Sequence, residues 1–291
     1  RNFHAKPFGP EMQVKQMFGG RFAPRKKRMK YYHIDAFTQE SFKGNSAGVV
    51  ICDGTDIKDT LKQSLASEFK HSETAFVYIN QSTITLRWFT PIREVDLCGH
   101  ATIAAAYALW DTGIVHKMDQ IKFATKSGIL TASNNNDKIE LDFPQLFVTA
   151  CESNELLNKS LNIEPLYTGK NDKRFLLEIE SAEDLRKLQP DFDLLNKVEL
   201  GAFIVTCKSD RPGYDFLSRF FAPYVGINED PVTGSAHCYL APYWAKKLQK
   251  KVLVGFQESK RTGIIECEVI NNDRVKLRGN AKKLFSTEIE I

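Results

Sequence analysis

The 291-residue chain lacks the patterns that most directly assign a chemistry. It has no Cys-x-x-Cys pair: six cysteines stand scattered at 52, 98, 151, 207, 238 and 267. That spacing suits neither a zinc site nor a disulfide framework. Reduced thiols, and with them a cytoplasmic location, are the expectation. No Gly-x-Gly-x-x-Gly follows a strand, and there is no phosphate-binding Gly-Lys-Ser/Thr loop and no Gly-x-Ser-x-Gly elbow, so dinucleotide, nucleoside triphosphate and serine-hydrolase chemistry have no sequence support. No metal and no cofactor are implied. No apolar run approaches the ~18 residues a spanning helix needs, so no membrane partner is expected. The basic excess is also lacking where it would matter. The first 30 residues hold nine Lys/Arg against one Glu, a net of +8, so the formal +4 of the whole chain leaves −4 for the rest. A mildly acidic globular part gives no electrostatic case for nucleic acid.

An apolar fraction of 42% is ample for a core, and the length suits two modest domains or one large one. Residues 1–28 read as an appendage: no strand or helix period, Gly19-Gly20, and the basic run Arg25-Lys26-Lys27-Arg28. An added or upstream leader is the first expectation. A basic, acid-poor organellar targeting peptide is the second, and a native arm docked on the domain is the third. From residue 31 strands and helices alternate. The pattern predicts strands over 31–37 and 47–52 around a Gly44-Asn45 turn, a helix over 57–69 capped by Asp56, strands over 74–79 and 83–89, and an almost wholly apolar helix over 100–110. A helix apolar all round suits enclosure by sheet. Strands follow over 119–143, broken at Asn134–Asp137, and residues 144–150 mark the boundary between an N-terminal half (29–146) and a C-terminal half (147–291). The second half repeats the theme: a short helix near 152–161, strands near 164–168 and 173–179, a helix from Ser181, strands near 199–207 and 214–220, a helix from Gly234 to about Lys250 kinked at Pro242, and strands over 252–256, 263–270 and 274–279. Aligning Gly99 with Gly234 places Ala101 on Ala236, and Trp110 falls one place from Trp244. The expected fold is therefore α+β: two pseudo-symmetric halves, each a mixed sheet wrapped on a central helix, with the two helix starts facing across a cleft.

Three segments could carry chemistry. Glu73 lies in His71-Ser72-Glu73-Thr74-Ala75-Phe76-Val77. It is either a strand glutamate in water or, given its apolar neighbours, a buried carboxylate with a raised pKa that holds and releases a proton near neutrality. The turns Asp96-Leu97-Cys98-Gly99-His100 and Asp230-Pro231-Val232-Thr233-Gly234-Ser235 each open onto an Ala-rich run, where free N–H groups bind anions. His100 is a structural imidazole or a donor to substrate. Asp96 caps the turn or serves the site. Asp230 shapes the turn before Pro231 or orients a substrate amine or hydroxyl, and Ser235 completes a second anion pocket. Cys98 is a buried thiol or, at a helix N-terminus that would lower its pKa, a base. The position matching it in the second half is Thr233, which disfavours a two-thiol racemase.

Together these stretches, with His33–Thr38, Phe42-Lys43-Gly44-Asn45, Phe89-Thr90-Pro91 and Glu94–Thr102, resemble the phenazine-biosynthesis PhzF-like family, which is close to the diaminopimelate epimerase fold. The resemblance covers nearly everything from Met29 onward. It implies two pseudo-symmetric halves with a last strand able to return to the first, a homodimer, and cofactor-free isomerisation. In that family's best-understood member one glutamate takes a proton from a cyclohexadiene hydroxy-amino acid and returns it at another ring carbon. The matching residue is Glu73, with His100 and Asp230 in support. The expected site thus has Glu73, His100 and Asp230 as catalytic groups and Asn45, Asp96, Gly99, Gly234 and Ser235 as substrate contacts. Its ligand is a small carboxylate, amino-bearing by analogy. Two readings stay open beside it: a non-catalytic metabolite-binding protein, and an amino-acid racemase or epimerase. Ser46 departs from the family's usual Pro, and Gln257–Gly263 carries one glycine where a pair is common.

Overall fold

The computed structural model describes residues 28–53, 57–80, 83–271 and 273–291. The leader expected over 1–28 lies outside them except for Arg28, and so does Asp56, the expected cap. The strands are β1 (Arg28–Ala36), β2 (Asn45–Asp53), β3 (Glu73–Asn80), β4 (Thr83–Phe89), β5 (Glu94–Val95), β6 (Ile121–Thr125), β7 (Gly128–Asn135), β8 (Lys138–Pro144) and β9 (Thr149–Ala150). They continue with β10 (Tyr167–Lys170), β11 (Phe175–Glu178), β12 (Phe203–Lys208), β13 (Phe216–Ala222), β14 (Ile227–Asp230), β15 (Val252–Gln257), β16 (Gly263–Ile270), β17 (Arg274–Gly279) and β18 (Ala281–Glu290). The helices are α1 (Asp59–Phe69), α2 (Gly99–Asp111), α3 (Glu155–Leu161), α4 (Ala182–Lys187), α5 (Phe192–Leu195) and α6 (Gly234–Leu248).

Strand pairing shows a duplication far stronger than the sequence repeat. In the first half β1 pairs antiparallel with β2, β2 parallel with β3, β3 antiparallel with β4, β4 parallel with β6, and β6–β7–β8 follow as antiparallel neighbours. In the second half β10, β11, β12, β13, β15, β16 and β17 repeat that series of senses in the same order. Each second parallel crossover carries the long helix, α2 or α6, since a parallel pair needs a crossover connection. The halves are stitched twice. β8 pairs with β17, and the closing strand β18 returns to pair with β1 along Arg28–Ala36; β9, just past the boundary, edges the second sheet beside β10.

α2 is sheathed by sheet, as its composition predicts: His100 to Ala106, Ala108 and Leu109 are all buried. Alanines let the strands approach closely, and the main core runs from β1–β3 through α2 to α6 without interruption. Pro242 does not break α6. The Cys238 carbonyl, which a proline nitrogen cannot bond, accepts instead from the Leu146 N–H at 3.0 Å. Short elements escaped the sequence pattern. β5, β9 and α5 are too brief for a period, and β18, though ten residues long, is charged and has no buried residue to mark it. Among the described residues no helix is long and apolar enough to cross a membrane.

Candidate functional site

The starts of α2 and α6 meet. A Cβ built on Gly99 would lie 3.7 Å from the Gly234 Cα, with nothing bulkier between the two backbones. The first N–H groups of both helices, which have no intrahelical partner, therefore converge on one place. A cavity of about 610 Å³ opens there, lined by Glu73, Cys98, Gly99, His100, Asp230, Thr233, Gly234 and Ser235 among others. Another hollow of about 500 Å³ lies beside α3 and α4, where the charged residues Glu164, Glu180, Asp184 and Lys187 are all exposed. It offers no desolvated group for chemistry.

Glu73 opens β3, which is fully buried from Thr74 to Tyr78 and parallel to β2. Its side chain keeps only 15% of its surface, and its Oε2 lies 3.3 Å from His100 Nε2. Burial is the largest influence on the carboxyl, with the nearby Asp230 charge second, and together they push its pKa up to about 7. His100 moves the other way. Burial, with a smaller contribution from His71, lowers it to about 3, so the imidazole is neutral and its 3.3 Å approach to Glu73 is not an ion pair.

One network joins the polar groups. The Asn45 side chain donates to Asp230 Oδ1 at 2.8 Å and to the Val232 carbonyl at 2.9 Å. Ser72 Oγ donates to Asn45 Oδ1 at 3.3 Å and lies 3.2 Å from His100 Nε2. The Ser72 hydroxyl also bonds the Glu73 carboxylate, which tempers the rise in its pKa. The neutral His100 ring thus has a polar neighbour at each nitrogen, Ser72 at Nε2 and the Cys98 thiol 3.5 Å from Nδ1. Thr233 Oγ1 donates to Asp230 Oδ2 at 2.5 Å, and Gln257 Nε2 donates to the Asp230 carbonyl at 2.7 Å. Burial nevertheless dominates and lifts Asp230 to about 6.

Asn45 is itself held from below. Arg261 donates to the Lys43 and Gly44 carbonyls and to the buried Asp35, fixing the turn that delivers Asn45. Ser46 bonds His33 Nε2 at 2.8 Å and His71 Nδ1 at 3.0 Å. A proline there would leave both imidazoles without that partner.

Seven of the eight expected residues come together: Glu73, His100, Asp230, Gly99, Gly234 and Ser235 line the cavity, and Asn45 sits directly behind Asp230. Asp96 does not join them. It is exposed and off the cavity wall, and its backbone carbonyl accepts from Ser127 Oγ. Nor does it cap α2, whose N-cap is Cys98. Of the two readings of Cys98, the structure agrees with the buried thiol. Burial and the neighbouring Glu73 hold the thiol well above its ordinary value, outweighing the helix start. Glu73, Cys98 and His100 do place a carboxylate oxygen, a sulfur and an imidazole nitrogen within 4.8 Å of one another, a donor set able to hold a metal. An ion there would need the Cys98 proton removed and would occupy Glu73. Sequence reasoning missed Ser72, Thr233, Gln257 and Arg174. Ser72 and Thr233 lie inside quoted motifs, and only their partners across the chain reveal a use.

Comparisons with known proteins bear on the family and the fold. The family described as phenazine biosynthesis-like protein (PhzC-PhzF) matches residues 34–287. An uncharacterized isomerase of Halalkalibacterium halodurans is 48% identical over 260 residues, covering 89% of this chain and 97% of the other. The crystal structure of a PhzF-family phenazine biosynthesis protein from Enterococcus faecalis superposes with a TM-score of 0.86 at 36% identity, covering 91% of this chain and all of that one. A hydroxyproline epimerase from Agrobacterium vitis shares the fold alone, with a TM-score of 0.58 at 10% identity.

Proposed function

The chain belongs to the phenazine biosynthesis-like PhzC/PhzF family, with the diaminopimelate epimerase-like α+β fold, and on that premise we propose that it is an isomerase in which Glu73 moves a proton within a small carboxylate metabolite. The observation that carries this reading is the Glu73 carboxyl itself. It lines the cavity beside two converging helix starts and titrates at about 7, where a group can both take and return a proton. The substrate carboxylate sits on the N–H groups around Gly99 and Gly234. His100, its Nε2 3.3 Å from Glu73, is placed to donate to that anion as it forms. Asp230, fixed by Asn45 and Thr233, orients an amine or hydroxyl of the substrate. No step in this account needs a cofactor.

A single acid/base on one face favours a proton shift over inversion at one carbon. The Cys98 thiol stays protonated, and Thr233 stands where a second thiol would be. Incubation in D2O with a panel of small amino- and hydroxy-carboxylates should produce one-deuteron incorporation in the member that is turned over. Binding across that panel without incorporation into any member would support the metabolite-binding reading instead.

The pH profile is a separate check. A base of pKa about 7 makes kcat/KM rise with pH through neutrality in the free enzyme. His100, neutral above about 3, contributes no limb near neutrality, so His100→Gln should lower the rate and leave the rising limb in place. A limb that vanished in that variant would transfer the titrating role to His100.

A further inference from the structure

Arg174 ends the β10–β11 turn, and its position is built rather than incidental. The Asn171 side chain accepts from the backbone N–H groups of Lys173 and Arg174, both at 3.0 Å, and donates to the Tyr239 hydroxyl of α6 at 3.1 Å. The guanidinium lies over Phe220 and Tyr239, at 5.1 Å and 5.4 Å from their ring centroids. Its Nη2 donates to Ser235 Oγ at 3.0 Å, beside the start of α6. Its Nη1 is shielded from solvent and has no hydrogen-bond partner in the described residues. Guanidinium stays charged in proteins, and a buried charge normally meets an opposite one. Among the described residues no carboxylate forms an ion pair with Arg174, although it lines the cavity.

Lys173 and Arg93, from opposite halves of the chain, line the same cavity, and neither has an ion-pair partner among the described residues. Arg174, the exposed Lys173 and Arg93, and two helix starts therefore share the cavity with two carboxyls: Glu73, lifted to about 7, and Asp230, which burial raises and the Arg174 charge draws down. One substrate carboxylate on the helix starts does not balance that field.

We infer that Arg174 is a specificity-determining residue, and that the substrate is a dicarboxylic acid whose second carboxylate docks on the Arg174 guanidinium while the first sits at the Gly99–Gly234 junction. The inference rests on the proposed placement of the first carboxylate. It concerns binding alone, so it is tested without turnover.

The experiment is calorimetric binding to the full chain of matched acid and amide probes: glutamate against glutamine, aspartate against asparagine, and phthalate and isophthalate against their monoamides. Each pair differs only in the second negative charge. At least one acid should bind about tenfold or more tightly than its amide, as expected for a desolvated Arg–carboxylate contact. In Arg174→Gln that preference should fall to within about twofold, and Arg174→Lys, which keeps the charge but not the planar fork, should be intermediate. Absence of any acid preference in the unmodified protein overturns the inference, whatever the variants do. So does a preference that survives intact in either variant, each first checked for an unchanged melting temperature. A phosphate-ester probe displacing the preferred acid with higher affinity would overturn the carboxylate assignment. The acid-to-amide ratio in Glu73→Gln separates the two proposals. Retention of that ratio with loss of deuterium exchange supports both, whereas retention of exchange refutes the role of Glu73 alone.

Discussion

Glu73→Gln is expected to lose about 10²–10⁴-fold in turnover while becoming more stable at neutral pH. The first effect is the ordinary value of a positioned general acid/base. The second follows from the desolvation that makes Glu73 useful. Its carboxyl titrates at about 7 in the folded chain against 4.5 when unperturbed. The unfolded chain therefore releases this proton first, and stability falls as pH rises from about 4.5 to about 7. Below that window both states are protonated and the cost is absent. Above it the cost is complete, on the order of 3 kcal/mol at most, since each tenfold change in proton affinity is worth about 1.4 kcal/mol. Glutamine keeps the shape without the charge. Denaturant unfolding at pH 8 should place the variant above the parent by up to that amount, and the curves should converge near pH 4.5. A variant equally stable or less stable at pH 8 would mean that the native carboxylate is well solvated.

Gly44→Ala should damage stability and activity together. Gly44 has φ of +68°, and a Cβ there would fall 2.1 Å from the Ala36 carbonyl oxygen, a backbone atom that cannot rotate away. The Gly44 N–H donates to the Thr262 carbonyl at 2.7 Å, so the turn cannot simply swing out. A positive φ alone costs an alanine about 1–2 kcal/mol, and the backbone collision should bring the total to about 3 kcal/mol or more. For a chain of this size that is a fall in Tm of roughly 6–12 °C. Asn45 is the next residue, so Asp230 would lose its 2.8 Å donor and binding should weaken as well. Gly113→Ala is the internal control. Gly113 has φ of +70° but nothing within 4 Å of an added methyl group, so only the conformational cost of about 1–2 kcal/mol remains. Equal losses in the two variants would show that the contact with Ala36 is not what constrains residue 44.

The site was legible in the sequence where its signals are local. An apolar strand interrupted by one glutamate, and two Asp/Gly turns opening onto alanine-rich helices, are patterns within a few residues, and they locate Glu73, His100, Asp230, Gly99 and Gly234. The fold was legible for the same reason: long strands and helices carry their period with them, and the repeat marked by Gly99 and Gly234 is the visible part of a duplicated strand order. What the sequence hid is set by distant partners. Arg174 sits in a polar turn that any reading would leave in solvent, and only Phe220, Tyr239 and Ser235 bury it. Asp96 looks like a partner of its helix but is exposed, because Cys98 takes the N-cap position. For Cys98 the sequence left a buried thiol and a helix-start base open, and burial decides for the buried thiol. β18 belongs to the sheet through its pairing with β1, roughly 250 residues away in the chain.

The most direct test of a desolvated proton carrier at position 73 is its own titration. Carbon-13 NMR of the protein labelled at glutamate side-chain carboxyls, with Glu73→Gln used to assign the resonance, reads that pKa without any substrate. The account predicts a midpoint near 7. A midpoint at the ordinary glutamate value of about 4.3 would place the carboxylate in water and contradict it.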